Sequence, residues 1–159
     1  MPRYWLLKTE PGCYSIDDLA AAPDRTTCWD GVRNYQARNF LRDMRRSDLA
    51  LFYHSVKNPA AVGVVEIVRE GYPDSTALDP ADDHFDPRAT PEKPIWLMVD
   101  VCLRWRFATP VSLAAMRREP ELAGMELLRK GSRLSVMPVS PEAFAFILRL
   151  GGRVDEKNP

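Results

Sequence analysis

The chain has 159 residues, 45% of them hydrophobic and 28% charged, with a formal net charge of zero; it is long enough for one core, short for two, and too apolar for a disordered protein. Equal acidic and basic counts exclude a global positive field that gathers nucleic acid indiscriminately, so any anion site must be local. Three widely spaced cysteines without a CxxC exclude a disulfide framework and a structural zinc site, and no apolar run reaches signal-peptide or membrane-spanning length, so a cytoplasmic protein with no membrane partner is expected.

In chain order, residues 4–8 read as a strand rich in aromatic and apolar side chains. Ser15, with Asp18 three positions on, resembles a capping box opening a short helix that Pro23 ends. Asn34 is placed to cap a helix running to about residue 46. Residues 49–54, 62–68, 95–106 and 134–139 read as further strands. "VGVVEIV" is nearly unbroken apolar sequence, as in a central strand covered on both faces, while the stretch from Met98 alternates, as in a strand with one wet face. Between them, residues 71–94 hold five prolines and five aspartates and read as a long loop of the kind that often carries function. Ser112 opens a helix, another is predicted after Pro120, and Ser140 with Pro141 opens a last one closed by Gly151 and Gly152. The fold class is α+β: a bent mixed sheet or open barrel of five to six strands flanked by helices. One domain over residues 1–152 is expected, followed by a flexible tail, 153–159.

The local charge sits in "TCWDGVRNYQARNFLRDMRR", residues 27–46, where five arginines face two aspartates. At 100° per residue, Ala37, Phe40, Leu41 and Met44 form a core-facing stripe and leave Arg38, Arg42, Arg45 and Arg46 on a flank. Such a flank is either a solvated face or a phosphate-contacting one, since arginine's planar fork suits phosphate oxygens. Ahead of it, Trp29, the turn at Asp30-Gly31 and the helix start at Arg33 and Asn34 combine a flat ring with backbone N–H groups, a combination suited to a planar polar ligand.

The stretches "YWLLKTEP" (4–11), "YSIDDL" (14–19), "WDGVRNYQARNFLRDM" (29–44), "LALFYHS" (49–55), "AAVGVVEIV" (60–68) and "LLRKGSRLSVMPVS" (127–140) resemble, in order and spacing, the EVE domain family of the PUA-like superfamily. Ser47 departs from the pattern, standing where a glycine before Asp48 is usual. The resemblance implies a barrel-like mixed sheet with an aromatic and polar pocket at its side. In related folds such as the YTH domain this pocket holds a modified nucleobase, and EVE domains are thought to read modified cytosine in DNA or modified bases in RNA. No cofactor, metal or chemical step is implied, and a monomer is expected.

On that basis Trp29 and Tyr53 are the candidate stacking walls, because base–aromatic stacking is worth about 1–3 kcal/mol per base. Asn34, Ser55 and Glu10 are candidates for the Watson–Crick edge, with Val32 and Leu134 against the modified position. Lys8, Arg33, Arg38 and Arg133 are the candidate phosphate contacts, giving affinity and salt dependence without base specificity. Trp5, Trp105, Phe40, Phe52, Phe144 and Phe146 have core-like spacing, and His54 reads as a buried histidine beside the pocket. Two other classes stay open. A module binding a peptide or small molecule fits the same pocket. A nucleotide-processing enzyme would draw on His54, His84 or Cys28, the last beside a helix start able to lower its pKa. "DDHFD" (82–86) has the atoms of a weak divalent site but reads more simply as polar loop.

Overall fold

A computed structural model describes residues 3–154. Its centre is a six-stranded mixed sheet in the order β2-β5-β4-β3-β1-β6, with β2 and β6 as open edges. β1 (Tyr4–Thr9) lies parallel to β3 (Leu49–His54), and the other pairs are antiparallel. A parallel pair requires a crossover, here supplied by α1 (Ile16–Ala21), β2 (Thr26–Trp29) and α2 (Tyr35–Asp43). β4 (Ala60–Pro73) and β5 (Leu97–Ser112) form a long ribbon whose register shifts at four places, and bulges of this kind bend and coil a sheet. The bend brings distant parts together: α2 packs against β6 at one edge and against the β4–β5 ribbon. α3 (Leu113–Arg117) follows β5, and α4 (Pro141–Gly151) follows β6 (Val136–Val139) and packs on β5.

The capping chemistry is as the sequence predicts. Ser15 Oγ accepts from Asp18 N at 3.1 Å while Asp18 Oδ2 accepts from Ser15 N at 2.8 Å, and Ser112 and Ser140 cap α3 and α4. Element bounds differ in several places. α2 ends at Asp43, short of residue 46, because buried Asp48 accepts from Arg45 N, Arg3 N and Trp5 Nε1, each at 3.0 Å, and pulls the chain into a turn. Ser47 completes that turn at φ 77°, a left-handed conformation that suits glycine. The helix predicted after Pro120 is two separate 3-10 turns, since Leu122, Met125 and Leu127 are all buried at a spacing no single helical face provides. β2 is a strand the sequence did not announce, at four residues too short to display an alternation.

The main core joins Trp5, Leu6, Leu7, Leu41, Phe52, Val64, Ile67, Val101 and Phe144, with Tyr4 stacked on Phe144 at 4.3 Å. Trp105 and Phe40 are only partly buried against it. The loop predicted at 71–94 is shorter and better anchored than its composition suggests. β4 claims its first residues, and a small core of Ala77, Ala89 and Trp96 holds the rest. Buried Asp86 accepts from Trp96 Nε1 at 2.7 Å and from Arg88. Of the predicted tail, Arg153 lies over the Trp105 ring and Val154 N donates to Arg106 O; residues 155–159 lie outside the described residues.

Candidate functional site

Parallel pairing of β1 and β3 aligns their C-terminal ends, and beyond the end of β1 opens a cavity of about 600 Å³. β1 contributes Lys8 and Thr9; the turn that follows, closed by Cys13 N and Tyr14 N donating to Glu10 O at 2.9 Å, contributes Glu10, Cys13 and Tyr14. From β2 come Thr27, Cys28 and Trp29, and the chain continues through Asp30, Gly31 and Val32 along the wall. His84 from the long loop and Ser135 just before β6 complete it.

Trp29 is 7% exposed, held edge-on to Phe52 at 5.5 Å and 82°. The core therefore fixes the indole and leaves its remaining surface to the cavity. Tyr14 contributes the most informative polar atom: its hydroxyl oxygen is buried without a hydrogen-bond partner among the described residues. A buried orphan hydroxyl costs about 1–3 kcal/mol and calls for an explanation such as a ligand or water. Asp30 at the cavity wall is held above the ordinary carboxylate range, first by lost hydration and then by Asp74. Lys8 is lowered by burial, against which Glu126 acts.

One network shapes this wall. Asp74, fully buried, accepts from Gly31 N at 2.8 Å, Arg33 Nη1 at 3.0 Å, Thr76 N at 2.9 Å and Thr76 Oγ1 at 2.6 Å. Burial alone would push its carboxyl up; the bonds from Thr76, Gly31 and Arg33 reverse this and hold it below the usual value. Arg33 also donates to His84 O through Nε and Nη2, at 3.0 and 2.8 Å, and lies over the Trp96 ring. Gly31, at φ +78°, lets the His84 ring close over it: a Cβ there would stand 2.8 Å from His84 Nε2.

The structure separates the predicted site residues. Trp29, Val32, Glu10 and Lys8 meet at the cavity. Tyr53 is buried and faces a second cavity, on the other side of Lys8. Asn34 is exposed and its side-chain oxygen is engaged as the α2 cap, accepting from Ala37 N at 2.9 Å. Leu134 packs into the main core, and Ser55 donates its backbone N–H to Thr9 O at 2.9 Å behind the strand ends. Arg33 is tied to Asp74 and to the backbone of the long loop, with its side chain 22% exposed. Arg38 lies over Tyr35, donates to Ile95 O, and lines a shallow basin with Arg42, Arg88 and Lys93; Arg133 is exposed. Trp96 is buried under the long loop and stacks on Tyr35 at 4.9 Å.

Sequence reasoning left out Tyr14, Thr27 and Ser135, and took Asp30 only as part of a turn and His84 only as an enzyme candidate. Tyr14 opens one of the resemblance stretches and Ser135 lies in another, a signal that was available; His84 reaches the cavity only through tertiary folding. The thiol of Cys28 is raised, not lowered, by burial and by Asp30 and Asp100. His54 Nε2 accepts from Ile16 N at 3.1 Å, capping α1 from across the fold. No group of side chains suited to hold a metal occurs among the described residues, and "DDHFD" folds into loop turns with Asp82 Oδ1 accepting from His84 N at 2.8 Å.

With this geometry in hand, comparison with known proteins is decisive for kinship. The profile of the EVE domain matches residues 3–150. The chain belongs to the EVE domain family. Thymocyte nuclear protein 1 from rat is 44% identical to this EVE protein, covering 94% of this chain and 74% of the relative; the human protein is 41% identical, covering 100% and 76%. Among solved structures, a hypothetical protein from Leishmania major superimposes with a TM-score of 0.90 at 49% identity, covering 95% of both chains. Human THYN1 in complex with DNA containing 5-methylcytosine superimposes with a TM-score of 0.88 at 40% identity, covering 96% of this chain and 99% of that one. No helix among the described residues of the EVE chain is long and apolar enough to cross a membrane.

Proposed function

We propose that this EVE protein is a nucleic-acid reader that encloses a single modified base, a 5-methylcytosine in DNA being the best-supported case, in the cavity walled by Trp29. The observation that carries the reading is the Trp29 indole, fixed by the core on the wall of a cavity of about 600 Å³ that is also lined by Tyr14, whose buried hydroxyl has no partner among the described residues. The complex of human THYN1 with DNA containing 5-methylcytosine supports the ligand class.

A base buried in a duplex must be flipped out at a cost of a few kcal/mol, which stacking on Trp29 offsets by about 1–3 kcal/mol. The cytosine Watson–Crick edge offers one amine donor and two acceptors. Asp30 and Glu10 supply carboxylate acceptors for the amine, and the Tyr14 hydroxyl and Lys8 ammonium supply donors for the ring oxygen and nitrogen. Val32, 5% exposed, offers apolar surface to a methyl group. The reading involves binding without a chemical step: the raised Cys28 thiol is a poor nucleophile, and the His54 lone pair is already engaged by Ile16 N.

Fluorescence anisotropy with short single-stranded oligonucleotides containing cytosine or 5-methylcytosine tests this. Tyr14→Phe keeps the ring and removes only the hydroxyl, so the modified oligonucleotide should bind about 3- to 10-fold more weakly with an unchanged salt slope. Equal binding of wild type and Tyr14→Phe, at equal stability, places the base elsewhere.

A further inference from the structure

On the other side of Lys8 lies a second cavity, of about 510 Å³, that the base reading does not use. Arg117 from the end of α3 and Arg129 and Lys130 from the turn after the second 3-10 segment bring three cations to it, and Lys8 is a fourth, shared with the first cavity. Charge alone would describe a solvated patch. Two further observations point to a ligand. Ser132 lines this cavity and its hydroxyl oxygen is buried without a partner among the described residues, so the two residues that carry a partnerless buried side-chain polar atom among those residues, Tyr14 and Ser132, line one cavity each. Lys8, half-buried between the two, has lost part of its hydration and is lowered for that reason, which favours an anion beside it. The carboxylate nearby, Glu126, is paired to Arg129 at 3.2 Å and leaves Arg117 and Lys130 exposed.

We infer that the Lys8–Arg117–Lys130–Ser132 cavity binds the phosphodiester flanking the enclosed nucleotide, with Lys8 joining the base and phosphate sites. Exposed cations and a hydroxyl donor are the groups that hold phosphate oxygens. Tyr53, Leu113 and Leu128 give the cavity an apolar side, against which a sugar can rest. The assignment rests on the reading of the first cavity as a base pocket. It replaces Arg33, whose guanidinium is engaged by Asp74, as the main phosphate contact near the base.

The test is the salt dependence of binding of the same two single-stranded oligonucleotides to Arg117→Ala, Lys130→Ala and Ser132→Ala. Arg117 and Lys130 are exposed, so their variants should fold as wild type. Each should weaken modified and unmodified oligonucleotides by the same factor, about tenfold at low salt, and lower the log–log salt slope by roughly 0.7. Ser132→Ala should weaken both with the slope unchanged. Unchanged slopes in both cation variants, with the methyl preference intact, overturn the phosphate site and leave the base pocket standing. Lowered slopes without any methyl preference in the wild type retain the anion site and overturn the base reading.

Discussion

Replacing Arg33 separates two roles that a sequence cannot tell apart: a phosphate contact and a structural tie. In the fold Arg33 is one of four donors to a fully buried Asp74 carboxylate and also holds the backbone of His84. Breaking a buried pair by removing one partner costs about 3–5 kcal/mol. Because Gly31 N, Thr76 N and Thr76 Oγ1 still serve Asp74, Arg33→Gln belongs at the lower end, about 3 kcal/mol. For a chain of this size, 1 kcal/mol corresponds to roughly 2–4 °C, so Tm should fall by about 6–12 °C. Adding Asp74→Asn removes the stranded charge, and the double variant should lose less than the two single losses combined. Thermal unfolding by circular dichroism gives the stabilities, and anisotropy on the folded variant gives the salt slope. A Tm within about 2 °C of wild type, together with a salt slope lowered by roughly 0.7–0.9, would refute the structural role and restore Arg33 as a phosphate contact.

Ser47→Gly should stabilise the protein by about 1 kcal/mol, or roughly 2–4 °C, because Ser47 sits at φ 77° in an exposed turn and glycine removes the left-handed penalty; a lower Tm in differential scanning calorimetry would count against this. Stability should also fall on mild acidification through His54. Burial lowers its folded pKa, Asp17 acting against this and Arg106 with it, and its Nε2 must be unprotonated to accept from Ile16 N. The unfolded chain therefore takes up the proton first, so the contribution is complete above the unfolded pKa of about 6.5 and is lost as pH falls from there toward the folded value. Denaturant midpoints measured between pH 7.5 and 5.5 should fall, and His54→Gln should lose that part of the slope; an identical slope in the variant would remove His54 as the cause.

Much of the fold is legible locally because its signals are short-range. The Ser15–Asp18 capping box, the Asn34, Ser112 and Ser140 caps and the β3 bounds all follow from side chains within four positions of one another. Where locality failed, a distant group intervened. Asp48 stops α2 early because it also serves Trp5, 43 positions away. The long loop keeps its shape through a buried tryptophan and aspartate that composition makes look like solvated chain.

The site divides along the same line. By itself the sequence determined the family, the α+β class and the grouping of Trp29, Val32, Glu10 and Lys8 around one cavity, because these lie in contiguous stretches whose residue types carry the signal. Only the tertiary structure decided the partners. The parallel β1–β3 pairing places Lys8 between two cavities, the Asp74 network engages Arg33, and His84, Ser132 and Ser135 arrive from segments more than 50 positions distant from Trp29. The physical reason is that burial and hydrogen-bond satisfaction are properties of a position in space, so whether an arginine is free to meet a phosphate, or a hydroxyl is left in want of a ligand, is set by what the folded chain has already placed beside it.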